Sequence, residues 1–431
     1  MAPPAPVRQA VILAGGRGTR LRPLTDDRPK PMVEFHGRPF LEYLVEMLAG
    51  QGIERILLLL GYRPEVIERH FGDGARWGLR IDYAVTDPDE LTAARVLGAR
   101  DRLDSRFLLL YCDNYWPLDL ARLWQRYLEA GRPALVTVYR NRDGWSRGHN
   151  VAVDEAGLVR VFDRTRRTPG LEGVEIGYAI LERSLLDLLP TPDVLIEEGL
   201  YPQLAARGWL AAYLTEHRYY SVGSLERLPA TDAFLARRPS LVLDRDGVLD
   251  RRPPQASYVR TPDELEWLPG ALDGIRRLTE AGYRLLVVSN QAGVARGAMS
   301  EDDLRAIEAR MTADAAAAGG RIERFYDCVH DWDEGCECRK PRPGLLFQAQ
   351  RDFALDLSRT CFIGDDERDG QAAREAGMPF RLVSPEIGLA EALPELLVEH
   401  RGGDPIGSSA ETGVALEVGL PAMPGQAGGD R

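Results

Sequence analysis

Lysine is almost missing from this chain of 431 residues. Only Lys30 and Lys340 are present, among 54 basic residues in all. Arginine serves nearly every other cationic position, so a retained lysine marks a place that wants a compact point charge rather than a planar fork. A basic excess is missing too. Acidic residues number 66 and the net charge is -12, which argues against a general nucleic-acid surface. Long apolar runs are absent: stretches such as Ile56–Leu60 are far too short to cross a bilayer, so no membrane partner is expected. Met1-Ala-Pro-Pro-Ala-Pro has no charged region before an apolar core, so no secretory leader is expected. Five cysteines are too few for a disulfide framework in a chain this long. Three of them crowd into 328–338, which points to metal chemistry in a reducing, cytoplasmic compartment. No internal repeat is found.

What is present suffices for two or three domains with real cores, since 44% of residues are apolar and 28% charged. Two segments open alike. Val11-Ile-Leu-Ala14 runs into Gly15-Gly-Arg-Gly18, and Leu241-Val-Leu243 runs into Asp244-Arg-Asp-Gly247. Each reads as a buried parallel strand that delivers polar residues to a site. Further strands are expected at Ile56–Leu60, Phe107–Tyr111, Ala134–Tyr139, Arg284–Val288 and Thr360–Ile363. Helices are expected at Pro39–Gln51, Leu118–Ala130, Ala271–Ala281 and Glu301–Ala318. The alternation implies an α/β chain of two doubly wound domains. The polar bridge Ala236-Arg-Arg-Pro-Ser240 divides them into 7–236 and 241–400, and the Gly/Pro/Ser/Ala-rich stretch 401–431 reads as a disordered tail.

In the first half, a glycine-rich loop after a strand lets backbone N–H groups approach a polyphosphate. Ala14, Gly15, Gly16, Arg17, Gly18 and Thr19 are the candidates for holding a nucleotide. Arg20 and Lys30, the latter in Pro29-Lys-Pro-Met32, would supply charge where pyrophosphate leaves. Together these motifs resemble the sugar-1-phosphate nucleotidyltransferase family over about 10–228. The resemblance implies a Rossmann-like domain that joins an NTP to a sugar 1-phosphate. It gives Asp113, in Leu110-Tyr-Cys-Asp-Asn114, the role of a Mg²⁺ ligand. Gly148-His-Asn-Val151, Glu175-Ile-Gly-Tyr178 and Glu197–Pro202 resemble the family's sugar-side segments. Two departures stand out. Ser221 occupies the place of a second metal-binding aspartate, and Leu91-Thr-Ala-Ala-Arg95 lacks the family's glycines.

In the second half, an ionised Asp244 can attack phosphorus, and Asp246 can protonate the leaving alkoxide and then activate water. Ser289 ends a strand, Arg339-Lys340 supplies cations, and Asp365 sits in Gly364-Asp-Asp-Glu-Arg-Asp369. This ordered set resembles the haloacid dehalogenase superfamily over about 241–385. The resemblance implies Asp244 as nucleophile, Asp246 as general acid/base, Ser289 and Lys340 on the phosphoryl group, and Mg²⁺ on Asp244, Asp365 and the Asp246 carbonyl, with Asp369 in support. About 37 residues between Asp250 and Val287 leave no room for a large cap. Arg245, Asn290, Gln291, Arg296 and Arg339 are candidate substrate contacts.

Cys328, His330, Cys336 and Cys338 offer three thiolates and an imidazole within eleven residues, a closed set suited to structural Zn²⁺. Cys112 and Cys361 read as buried apolar residues at strand ends. The zinc loop followed by Arg-Lys-Pro-Arg-Pro-Gly resembles the D-glycero-D-manno-heptose-1,7-bisphosphate 7-phosphatases, with histidinol-phosphate phosphatases as relatives. The fusion implies a sugar-phosphate partner and an NTP partner: dephosphorylation yields a heptose 1-phosphate, and nucleotidyl transfer consumes it. GDP-heptose or ADP-heptose would be the product by analogy, with GDP and the α-anomer favoured. A phosphatase carrying a degenerate, nucleotide-sensing first domain is the alternative, supported by Ser221.

Overall fold

The computed structural model describes residues 6–254 and 256–402. The short apolar runs become strands because both of their faces are covered. In β1 (Gln9–Ala14) every residue is buried, and in β2 (Arg55–Leu60) all but the first. Continuous rather than alternating apolarity is the mark of a parallel strand between helical layers. With β3 (Arg80–Val85), β4 (Arg106–Tyr111), β5 (Ala134–Tyr139), β6 (Val174–Glu182) and β7 (Leu210–Thr215) they form a seven-stranded sheet ordered β7-β5-β6-β4-β1-β2-β3. β6 was not anticipated, and it runs antiparallel to both neighbours, β4 and β5. The sheet is therefore mixed, not wholly parallel. A two-residue ribbon pairs Ser221 with Asn114 and Tyr220 with Tyr115 beside the end of β4.

The second sheet is wholly parallel. β8 (Ser240–Leu243) lies at its centre, with β9 (Arg284–Asn290), β10 (Arg324–Cys328), β11 (Cys361–Gly364) and β12 (Phe380–Leu382) in the order β10-β9-β8-β11-β12. Between β8 and β9 the chain forms a loop, the turn Pro262–Glu264 and the helix Ala271–Glu280, so no cap domain is inserted. The helix Glu301–Ala317 starts where the sequence says it should, because Ser300 and Asp303 close a reciprocal capping box. In each sheet the polar residues follow the carboxyl ends of central strands, where open α/β sheets place their ligands. Of the tail expected from 401, residues 401 and 402 close the helix Leu389–Gly402 and the rest lies outside the described residues.

The two halves touch through specific polar bonds. Gln350 Nε2 donates to the Tyr220 hydroxyl at 2.9 Å, and Arg218 donates to the Arg351 carbonyl at 3.3 Å. The Leu357 N–H donates to His217 Nε2 at 3.3 Å, while His217 Nδ1 sits 2.6 Å from the Arg218 carbonyl. That pairing requires the neutral imidazole with its proton on Nδ1. Burial favours the same form by pushing the His217 pKa down.

Candidate active sites

Asp244 follows β8 directly, and its N–H donates to the Ile363 carbonyl at 2.9 Å, locking it against β11. Lys340 faces it. The side chain is 3% exposed, and its ammonium lies 2.8 Å from Asp244 Oδ1, 2.8 Å from Asp369 Oδ1 and 3.0 Å from the Val288 carbonyl. All three ammonium hydrogens therefore have acceptors. Burial pushes the Asp244 carboxyl well above the usual range; Lys340 pulls against this and Asp369 adds to it. Asp246 is held by its neighbours. It accepts from Arg245 at 2.9 Å and Gln291 Nε2 at 2.9 Å, with the Ser289 hydroxyl 3.4 Å away. Gly247 makes the turn that brings the acids together. Its φ is +87°, and a Cβ there would lie 2.1 Å from Asp365 Oδ2. Only glycine lets the Asp365 carboxylate come so close.

Oxygens of Asp244, Asp365 and Asp369 lie within 4.8 Å of one another. Burial pushes Asp365 up to about 6, against the pull of Arg252. Lys340 meets Asp244 and Asp369 while Arg252 meets Asp365, so these three carboxylates face two cations and leave an excess of negative charge that a hard divalent cation fits. These groups line a cleft of about 900 Å³ together with Tyr258, Trp332 and Arg339.

The zinc candidates also converge. Cys328 Sγ lies 3.6 Å from Cys336 Sγ and 3.4 Å from Cys338 Sγ, and His330 Nδ1 lies 3.1 Å from Cys338 Sγ. A tetrahedral ion with Zn–S bonds of about 2.3 Å places its thiolates about 3.8 Å apart, so the donor set fits. The loop it would fix leads into Lys340, whose backbone is clamped on both sides by Asn290: Lys340 N–H donates to Asn290 Oδ1 and Asn290 Nδ2 donates to the Lys340 carbonyl, each at 3.0 Å.

In the first half, Gly18 adopts φ +66°, and a Cβ there would lie 2.9 Å from Lys30 Cβ. Thr25 Oγ1 donates to the Gly18 carbonyl at 2.9 Å. The loop thus packs on the Lys30 segment. Lys30 Nζ lies 2.5 Å from Asp113 Oδ2. Burial pushes the Asp113 carboxyl up, but Lys30 outweighs it and holds the group below its ordinary value. Arg17 forks onto Asp89 with two bonds of 2.9 Å, and Arg20 stands exposed at the next turn. On the sugar-like side, Glu175 accepts from the Gly177 N–H at 2.6 Å and burial pushes its carboxyl up to about 8. The Tyr111 hydroxyl donates to Glu197 at 2.5 Å. Ser221 Oγ accepts from the Gly223 N–H at 3.3 Å. One paired carboxylate and a neutral hydroxyl do not fit a resident divalent ion here, contrary to the Mg²⁺ expected on Asp113.

The comparisons with known proteins match a different family in each half of the chain. Residues 9–162 match the nucleotidyl transferase family model, and 337–404 match a haloacid dehalogenase hydrolase-like model. The chain is 39% identical over 159 residues to D-glycero-beta-D-manno-heptose-1,7-bisphosphate 7-phosphatase of Rhodopseudomonas palustris, which covers 35% of this chain and 87% of that protein. The chain belongs to that phosphatase family. It is also 34% identical over 202 residues to mannose-1-phosphate guanylyltransferase of Mycobacterium tuberculosis, covering 46% of this chain and 56% of that protein. Among solved structures, a D,D-heptose 1,7-bisphosphate phosphatase from B. bronchiseptica complexed with magnesium and phosphate is 37% identical, covers 37% of this chain and 86% of that chain, and has a TM-score of 0.33.

Not every residue of this heptose bisphosphate phosphatase relative stands where its motif suggested. Arg245 was expected to touch substrate, but its side chain is 1% exposed and is turned onto Asp246 and the wholly buried Asp250. Asn290 is occupied as the clamp on Lys340. Arg296 pairs with Asp331 at 3.2 Å and stacks on Trp332 with its guanidinium 4.3 Å from the ring centre. Arg339 and Gln291 do line the cleft. Cys112 is buried, whereas Cys361 is only half-buried at the start of β11. Two arginines escaped the sequence reading. Arg252 bridges Asp365 and Asp366 at 2.9 Å each. Arg95 is 3% exposed and donates to the Leu60, Asp87 and Pro88 carbonyls at 2.8, 2.8 and 3.0 Å, lying against Gly15 and Gly61. Arginines are ordinarily solvated, so nothing in their spacing separates these two from the other fifty.

Proposed function

We propose that the chain is a bifunctional enzyme of nucleotide-activated heptose formation, with working units 7–236 and 241–400. The second unit removes the 7-phosphate of D-glycero-D-manno-heptose 1,7-bisphosphate. The first transfers NMP from an NTP to the sugar 1-phosphate that results. The single observation that carries the reading is the Lys340 ammonium bridging Asp244 and Asp369 beside an Asp246 fixed by Gln291 and Arg245.

Asp244 attacks phosphorus while the bond from phosphorus to the C7 oxygen breaks, and Asp246 gives its proton to the leaving alkoxide. Asp246 then takes a proton from the water that cleaves the aspartyl-phosphate. Ser289 and Lys340 hold the phosphoryl oxygens. Mg²⁺, when bound by Asp244, Asp365 and the Asp246 carbonyl, supplies charge neutralisation. Zn²⁺ on Cys328, His330, Cys336 and Cys338 fixes the loop that presents Arg339 and Lys340. In the first unit Ala14–Thr19, Arg20 and Lys30 hold the nucleotide phosphates, so that sugar-phosphate oxygen and α-phosphorus meet in line. The guanylyltransferase likeness supports a guanine nucleotide. A cytoplasmic setting accords with reduced thiols at a zinc cluster.

Phosphorus NMR tests both activities at once. The chain is mixed with the bisphosphate, Mg²⁺ and a pool of NTPs. Loss of the 7-phosphate followed by diphosphate-sugar and pyrophosphate signals is expected, and names the base. Phosphate release with every NTP untouched favours the second reading, a nucleotide-sensing first unit, for which Ser221 speaks.

A further inference from the structure

We propose that Arg95 is a positioning residue of the first half: its buried guanidinium carries the glycine-rich loop from beneath and sets where the loop's outer side meets a nucleotide. The proposal rests on reading that half as a nucleotide site, but it does not require that transfer be observed.

Leu91-Thr-Ala-Ala-Arg95 contains no glycine, and the helix Thr92–Gly98 begins inside it. Arg95 on this helix is 3% exposed. A buried guanidinium is costly unless its hydrogens find acceptors. Nη1 donates to the Leu60 carbonyl at 2.8 Å and to Thr86 Oγ1 at 2.5 Å. Nη2 donates to the Asp87 and Pro88 carbonyls at 2.8 and 3.0 Å. All four acceptors are neutral, so they fix the guanidinium without cancelling its charge, and arginine does not give up its proton.

The loop rests on that cation. Gly15 is buried, and for a Cβ placed there the three nearest heavy atoms all belong to the Arg95 guanidinium, at 2.3, 2.3 and 2.7 Å. A Cβ at Gly61 would lie 2.6 Å from the Gly15 carbonyl oxygen and 2.7 Å from Arg95 Nη1. The Tyr62 N–H donates to the same Gly15 carbonyl at 3.1 Å. Gly15 is therefore seated on Arg95 and on the chain just after β2. Gly16 is the reverse case: it is exposed, and a Cβ there would meet nothing within 4 Å. The first glycine lets the loop down onto Arg95, and the second leaves the outer side bare for phosphates to approach backbone N–H groups. Arg17 extends the tie by forking onto Asp89, next to the Asp87 and Pro88 carbonyls that Arg95 holds.

A double-mutant cycle on nucleotide affinity tests this. Binding of a non-hydrolysable GTP analogue with Mg²⁺ to the full chain is measured by calorimetry, with circular dichroism and phosphate release by the second half as checks of folding. Arg95→Ala should weaken binding about tenfold. Gly15→Ala should weaken it at least about tenfold alone, but less than about twofold further in the Arg95→Ala background, where the space has opened. Gly16→Ala, which does not face Arg95, should cost the same in both backgrounds. Should Arg95→Ala fail to fold, Arg95→Met takes its place in the cycle. In nucleotidyl transfer the loss from Arg95→Ala should fall on KM for the NTP, with kcat within about threefold. Equal Gly15→Ala costs in both backgrounds, wild-type affinity in Arg95→Ala, or a loss confined to kcat would each overturn the proposal. If the cycle couples as expected but NMR shows no sugar nucleotide, the transfer reading fails while this one stands. A wild-type chain that binds no nucleotide would sink both.

Discussion

Replacing Gly247 with alanine is the smallest change that should disable the second half. The added methyl would lie 2.1 Å from Asp365 Oδ2 and 2.6 Å from its carboxyl carbon. Relaxed non-bonded contacts lie at about 3.5 Å, so the nearer carboxylate oxygen must withdraw by about 1.4 Å. Retreat is costly, because the same Oδ2 is held by Arg252 at 2.9 Å and moving it strains that bond. The backbone adds its own cost. Gly247 sits at φ +87°, and an L-residue in the left-handed region costs about 1–2 kcal/mol. A misplacement of about 1 Å at a reacting centre costs about 10²-fold, or roughly 2.7 kcal/mol of barrier. Phosphate release by Gly247→Ala should therefore fall at least about a hundredfold. The fold should lose about 1–3 kcal/mol, seen as a lower unfolding midpoint. The assay is initial-rate phosphate release at saturating Mg²⁺, with nucleotide binding as the control for the first half. Activity within threefold of wild type would refute the reasoning, since it would mean that Asp365 tolerates displacement or is not needed.

Asp244→Asn should abolish phosphate release while nucleotide binding measured by calorimetry stays unchanged; loss of both would contradict independent sites. Stripping zinc should loosen 326–345 before the first sheet, visible as early hydrogen exchange there, whereas uniform loss of protection would count against a structural role. Glu175→Gln should flatten the pH dependence of stability. The unfolded chain releases this proton near 4.5 and the folded chain near 8, so the stabilisation is whole below about 4.5 and is lost as pH rises through 8, by about 1 kcal/mol per unit. The melting-temperature gain of the variant should grow from pH 5 to pH 8, and parallel profiles would sink this account.

The legible parts of the fold were those where local chemistry decides. β1, β2, β4, β5 and β8 are unbroken apolar runs, and a strand buried on both faces needs little else. The helix from Glu301 carries its own start signal in Ser300 and Asp303. β6 was not legible, because Glu175 and Gly177 interrupt its apolar run and its antiparallel pairing with β4 and β5 is settled only by the assembled sheet. At the sites, residue types gave chemistry but not direction. Asp244, Asp246 and Lys340 do converge, as their motifs imply. Arg245, between two acids, looked equally ready for substrate, yet the turn at Gly247 sends its guanidinium inward to Asp250. Arg95 sat in a segment read only for the glycines it lacks. Its burial follows from four acceptors, the Leu60, Asp87 and Pro88 carbonyls and Thr86 Oγ1, that meet only when β2 and the segment after β3 are assembled.

The scarcity of lysine gains a practical meaning from where the two residues stand. Lys30 lies on Asp113 in one half, and Lys340 lies on Asp244 and Asp369 in the other. Isotope labelling confined to the lysine Nζ position would therefore give a 47.9 kDa protein just two side-chain resonances, one per candidate site. Each ammonium would report its own carboxylate partner, its own ligand and its own proton, with no assignment needed beyond a single substitution.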